Sequence, residues 1–168
     1  ASCVDTAVRN LIVTGCELSS IALLDNFCWC SPEHPEKIYQ LKMASKACYD
    51  LSLNFGTPFI SGKDSMYNDF TGYNKSNKKI KISIPPTLLI SSIGIIKSYH
   101  NLLSIVPQAT DDYIYVIGRT GDEMGGSEFT KVFGHKNNNV PQVDRQNAKR
   151  NYNNFSKANQ DKLITSAI

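Results

Sequence analysis

The chain has 168 residues, 41% of them apolar and 20% charged, with 18 basic against 15 acidic side chains for a net charge of +3. That length and balance suit one ordinary domain or two small ones with a real core, and exclude a disordered chain. No apolar run is long enough for a transmembrane helix. The small basic excess, without a base-reading motif or an aromatic-rich basic stripe, argues against nucleic acid as a partner.

Residues 4–14 predict a helix: Val4, Ala7, Val8, Leu11 and Ile12 recur at helical spacing and Gly15 follows as a stop. No capping residue precedes it, which leads us to expect a piece of a longer protein. An apolar run at 18–24 predicts a strand ending at Asp25-Asn26. Prolines and carboxylates at 32–36 then open a helix expected to run to about Asn54, burying Ile38, Leu41, Met43, Ala47, Cys48, Leu51 and Phe55, with Gly56 as its end.

Residues 57–60 predict a brief strand leading into Gly62-Lys63-Asp64-Ser65, and 69–79 a loop or hairpin tip with turn signals at Gly72 and Asn74. Residues 80–84 alternate, and Pro85-Pro86 breaks that ladder. The apolar run at 87–96 predicts a central strand, covered on both faces. A polar stretch at 98–112 reads as a boundary, after which 113–118 predicts a new strand. Two helices complete the chain, the second spanning 144–168 with Asp144 as its N-cap. One strand and two helices cannot close a core. The expected class is therefore α/β with a mixed sheet, cut at both ends.

The five cysteines are odd in number, their spacing makes no disulfide framework, and Cys28-Trp29-Cys30 is too tight for a zinc knuckle. Reduced thiols in a cytoplasmic protein are expected, since the first residues also lack the basic and apolar regions of a signal peptide. Cys28, Cys30 and Cys48 lack a His/Asn pattern that would make them nucleophiles. His34, between two prolines, reads as exposed, and His100 and His135 have no partner pattern. Gly125-Gly126-Ser127-Glu128 reads either as a phosphate nest or as a tight turn with a serine cap.

The densest chemistry lies at 60–69, where a glycine, a cation, two carboxylates, a hydroxyl and an amide follow an apolar run. A bend there could set backbone N–H groups and Lys63 against phosphate oxygens while Asp64 or Asp69 holds magnesium. The glycine spacing is not that of a Walker loop. Asp25 and this motif end two predicted strands joined by a helix, and such units bring strand ends to one sheet edge, where ligands bind. Two capped turns would be the plainer reading.

Taken in order, Asp25-Asn26-Phe27-Cys28-Trp29, the run from Thr57 to Asp69, Ile84-Pro85-Pro86-Thr87-Leu88-Leu89-Ile90-Ser91 and Gly125-Gly126-Ser127-Glu128 resemble the phosphoribosylformylglycinamidine synthase family. The resemblance spans nearly the whole chain. It implies the aminoimidazole ribonucleotide synthetase-like superfamily, whose ATP-binding N-terminal and α/β C-terminal domains occur twice in the synthase. This chain is similar to the second copy, with residues 1–106 matching the later part of its N-terminal domain and 107–168 the beginning of its C-terminal domain.

The resemblance further implies an ATP- and glutamine-dependent ligase acting on formylglycinamide ribonucleotide, with ATP and Mg2+ as cofactors. Partners would be a glutaminase domain or subunit and a first synthetase-like domain pair. By the same resemblance Asp25 and Gly62 contact nucleotide and Ser65 contacts phosphate or nucleotide. Position 63 is a magnesium-binding asparagine in many members. Lys63 cannot ligate metal, so the metal would pass to Asp64, or Lys63 would contact phosphate directly. Asn10 matches a metal-holding helix asparagine, although Thr6 stands where a carboxylate often precedes it. No residue is assigned to covalent catalysis. Alternatives are a scaffold half with a structural nucleotide, or a relative of thiamine-phosphate kinase or selenophosphate synthetase.

Overall fold

The computed structural model describes residues 1–134 and 139–168, so His135 lies outside the described residues. Helix α1, Ser2–Thr14, buries Val4, Val8 and Ile12 along one stripe and ends at Gly15. That glycine has φ 114°, and a Cβ on it would sit 2.2 Å from the Asn101 carbonyl oxygen, so only glycine fits this stop. A short 3-10 turn, Leu18–Ser20, leads into β1, Ile21–Cys28. Helix α2, Pro35–Phe55, follows, with His34 at its N-cap, proline in its first turn and Gly56 in the left-handed region at its end.

Strand β2 is Phe59–Ser65, β3 Asp69–Tyr73, β4 Lys79–Ser83 and β5 Thr87–Gly94; α3, Glu128–Phe133, and α4, Arg145–Gln160, complete the elements. The main sheet has the order β2-β1-β5, while β3 and β4 form a separate antiparallel hairpin. β1 runs parallel to β2, joined through α2, and antiparallel to β5. The α/β class with a mixed sheet is borne out. Between Leu23 and Leu24 the β1–β2 register shifts, leaving Ile60 as an extra residue between Phe59, opposite Leu23, and Ser61, opposite Leu24.

The core lies on one face of the sheet. Ile21, Leu23 and Phe27 of β1 meet Val4, Val8 and Ile12 of α1, Cys48, Leu51 and Phe55 of α2, and Tyr152 of α4. Each large side chain so buried contributes about 1.5–3 kcal/mol. Helix α4 returns to this core. The Phe55 and Tyr152 rings lie 5.7 Å apart, and the Tyr152 hydroxyl donates to the buried Asp5 carboxylate. Asn54 and Asn159 donate to the Arg145 and Asn101 carbonyls at 2.9 and 2.8 Å. Asp144 caps α4 as expected, accepting from Asn147 N–H at 3.1 Å.

Several expectations change. The first strand begins later and continues through Asp25 and Asn26 to Cys28, because pairing with neighbours on both sides outweighs the poor strand propensity of those residues. Gly62 to Ser65 lies within β2 for the same reason and forms no phosphate-cradling bend. β5 is at the edge of the described sheet, with Leu89 and Ile93 on an open face. Residues 113–117 are exposed and unpaired, since no neighbouring strand among the described residues offers them a ladder. Ile38 and Met43 are exposed, because α2 turns only a narrow stripe to the core. Helix α4 stops at Gln160, well short of the end.

Candidate functional site

Parallel pairing aligns Asp25 with Gly62, Asn26 with Lys63, Phe27 with Asp64 and Cys28 with Ser65. Alternation along each strand then sorts these residues by face. Asp25, Phe27, Gly62 and Asp64 share the face toward α2. The Asp25 carboxylate lies across Gly62: a Cβ there would fall 1.6 Å from Oδ1. Above it opens a pocket of about 570 Å³ between α2 and the sheet, into which Asp25, Asp64, Phe27, Cys48, Tyr49 and Ser52 project. The surface is mostly apolar, with two carboxylates and three hydroxyl-bearing residues supplied by Ser45, Tyr49 and Ser52.

Lys63 and Ser65 occupy the opposite face with Asn26 and Cys28. Lys63 Nζ donates to Ser65 Oγ at 2.5 Å, and Cys28 Sγ donates to Asn26 Oδ1 at 3.3 Å. The predicted residues are thus adjacent in the ladder but divided by the sheet. One side presents carboxylates in a partly enclosed pocket, the other a cation beside a hydroxyl on an open surface.

Asn10 stands apart. It lies on the exposed side of α1, which packs over β5, the edge opposite β2. Among the described residues no group of three or more His, Cys, Asp or Glu side chains is placed to hold a metal. Asp25 and Asp64 do converge on one pocket, and two carboxylates suit a magnesium ion that keeps waters and phosphate oxygens as its other ligands.

Asp69, the other metal candidate in the motif, is committed elsewhere. It accepts from Ser31 N–H at 3.0 Å and pairs with Lys81 at 3.5 Å. Its carboxyl is held below the usual range by Ser83 first, then by Ser31 N–H and Lys81. All five cysteines are free. Burial pushes the Cys48 thiol up, with Asp25 adding to the effect and the amino terminus opposing it, so Cys48 is no activated nucleophile. Ser127 caps α3, accepting from Thr130 N–H at 3.3 Å, in line with the serine-cap reading.

Of the pocket residues on α2, Leu41 and Cys48 were expected from sequence only as buried positions, and Ser45, Tyr49, Ser52 and Leu53 were not singled out. Their helical spacing places them together on one face of α2, a signal the sequence carries.

No protein-family model matches the chain. Comparison with known proteins finds phosphoribosylformylglycinamidine synthase subunit PurL of Thermococcus sibiricus, 33% identical over 163 residues, covering 97% of this chain and 21% of that protein. The subunit of the same name from Methanocaldococcus jannaschii is 31% identical over 165 residues, covering 96% of the chain and 22% of that protein. That of Sulfurisphaera tokodaii is 38% identical over 134 residues, covering 80% and 17%. The chain therefore spans about a fifth of the length of the first two relatives. The resemblance carried by the motifs holds along nearly all of it.

Proposed function

Because this chain is kin, along 97% of its length, to a segment of phosphoribosylformylglycinamidine synthase subunit PurL, we propose that it forms part of an ATP-dependent carbon–nitrogen ligase of purine biosynthesis. Formylglycinamide ribonucleotide is the substrate in this reading. ATP activates its amide oxygen by phosphorylation, ammonia from a glutaminase domain or subunit adds at the carbon, and the oxygen leaves with phosphate to give the amidine. Residues 1–106 belong to the ATP-binding domain and 107–168 open the next one, in a cytoplasmic enzyme completed by a first synthetase-like domain pair. The relatives do not favour a thiamine-phosphate kinase or selenophosphate synthetase.

Within that enzyme the β1–β2 edge is the nucleotide wall. Tyr49 offers ring surface for a base, and Gly62 leaves room for the Asp25 carboxylate to lie flat. Magnesium, when bound, neutralises phosphate charge, and Asp25 and Asp64 are the residues to hold it. Lys63 and Ser65 supply a cation and a hydroxyl suited to a phosphate on the other face. The observation that carries the reading is Asp25 laid over Gly62, two matched nucleotide-contacting positions brought together from different elements.

Calorimetric titration of magnesium-ATP into the full-length chain tests it. Wild type should bind, and Asp25→Ala should weaken binding roughly tenfold or more, the loss of one charge-assisted contact. No heat with wild type, or no loss in Asp25→Ala, overturns it. Lys63, standing where many family members carry a metal-binding asparagine, favours one second reading, a structural nucleotide that never turns over. Nucleotide that survives gel filtration without exchange would select that reading over catalysis.

A further inference from the structure

The turns that follow β1 and β2 are fastened to each other by a dense set of hydrogen bonds. Trp29 N–H donates to the Ser65 carbonyl at 2.7 Å, and Asn68 N–H donates to the Trp29 carbonyl at 3.0 Å. The Asn68 side-chain amide donates to those same two carbonyls, at 3.1 Å to Trp29 and 3.0 Å to Ser65. Both of its N–H groups are therefore spent on the ends of the two strands. The Asn68 carbonyl also accepts from Ile84 N–H at 3.2 Å, which ties in the return of the hairpin.

Asp69 extends the clamp. One carboxylate oxygen takes Ser31 N–H and faces Lys81. The side chain is only 8% exposed; its second oxygen is buried without a well-aligned hydrogen bond, although the Ser83 hydroxyl across the hairpin stabilises the carboxylate. Burying a carboxylate is costly even when it is paired; here Lys81 and Ser83 of β4 hold it from the hairpin side while Ser31 N–H ties it to the segment after β1. Trp29 passes the constraint onward, its indole N–H donating to the Lys37 carbonyl of α2 at 3.0 Å. The residue at the centre of the network is Ser65. Its carbonyl is held from two sides, while its hydroxyl stands beside Lys63 Nζ on the open face.

We propose that Asn68 is a positioning residue that acts through Ser65, holding the end of β2 against the end of β1 so that the Ser65 hydroxyl and Lys63 ammonium meet a phosphate-bearing ligand as a fixed pair. This rests on the reading that Ser65 and Lys63 touch that ligand. A group held in place before binding loses less freedom on binding, so loosening the clamp costs affinity without removing a contact.

The test is a double-mutant cycle in the full-length chain. Dissociation constants for magnesium-ATP and for formylglycinamide ribonucleotide are measured by calorimetry for Ser65→Ala, Asn68→Ala and the two combined. Ser65→Ala should weaken one of the two ligands by roughly tenfold, the loss of one hydrogen bond to a charged group. Asn68→Ala should weaken the same ligand, and the double variant should be no weaker than Ser65→Ala alone within about twofold. Losses that add show an effect spread through the fold and overturn the proposal. Full affinity in Asn68→Ala, with Ser65→Ala impaired, overturns the positioning role and leaves the site standing. No effect of Ser65→Ala on either ligand removes the site itself, and the proposal with it. Should Asn68→Ala not fold, Asn68→Ser, which keeps one hydroxyl donor but cannot reach both carbonyls, replaces it in the same cycle.

Discussion

Adding one methyl group at Gly62 isolates the contact on which the site is built. A Cβ there would stand 1.6 Å from Asp25 Oδ1, 2.7 Å from its Cγ and 3.3 Å from Oδ2. Ordinary non-bonded separations are about 3.5 Å, so one of the two residues must give by nearly 2 Å. Turning the carboxylate off its rotamer costs about 0.5–1.5 kcal/mol, and forcing the strands apart falls in the overpacking range of about 1–3 kcal/mol. For a chain of this size each kcal/mol moves the melting temperature by roughly 2–4 °C. Gly62→Ala should therefore melt about 1–12 °C below wild type by circular dichroism, and should lose magnesium-ATP affinity as the carboxylate leaves its place. The decisive comparison is with Asp25→Ala, where no carboxylate remains to be displaced. Adding Gly62→Ala to that background should cost about 0.5 kcal/mol or less, the scale of an additive residual between uncoupled sites. An equal drop in both backgrounds, or no drop in wild type, would refute the reasoning.

Tyr152→Phe should destabilise the chain by about 1–3 kcal/mol in urea unfolding, since it strips a buried carboxylate of a donor and leaves Asp5 to Arg9 at 3.4 Å; an unchanged midpoint would count against the α1–α4 tie. Burial first, and then Asp5, raise the Tyr152 phenol above its ordinary value, so the stability it contributes is complete below about pH 10 and declines as pH rises further. The alkaline limb of the wild-type profile should be steeper than that of Tyr152→Phe. Asp50, Asp69 and Asp144 are held low, by Lys46, Ser83 and Asn147 N–H respectively. Their contribution is present above about pH 4 and lost as pH falls through the lowered values, so Asp50→Asn should flatten the acid limb of a melting curve. The unpaired stretch at 113–117, with Ile114 95% exposed, is an open invitation to strand pairing between copies. Ile114→Lys should reduce light scattering of the 168-residue chain on warming without moving its melting temperature.

Helices were legible because apolar spacing and glycine stops act locally: Val4, Val8 and Ile12 mark the buried stripe of α1, and Gly15 and Gly56 end α1 and α2 where expected. Strand limits were not, because a ladder is settled by neighbours distant in the chain. Asp25-Asn26 and Gly62-Lys63 look like turn residues, yet each pairs within the sheet. The reverse failure occurred at 113–117, where strong β propensity meets no partner among the described residues. The parallel β1–α2–β2 unit and the closeness of Asp25 to Gly62 followed from the strand-helix-strand pattern. What could not be read was the division of the site between two faces, since that depends on the parity of residues after the register shift.

That shift at Ile60 has a consequence for how the strand could change. A strand is a two-sided ribbon whose sides exchange whenever one residue enters or leaves the ladder. With Ile60 held out of the count, Gly62 and Asp64 share the face toward α2 with Asp25, and Lys63 and Ser65 take the opposite face. Were Ile60 drawn into regular pairing, the lysine would be thrust beneath the helix and the glycine would lose its aspartate. The extra residue thus works as a parity bit: deleting Ile60 leaves the sidedness of every later residue intact, whereas inserting one residue inside the ladder inverts them all. Length changes at this point of β2 should be tolerated in one direction only.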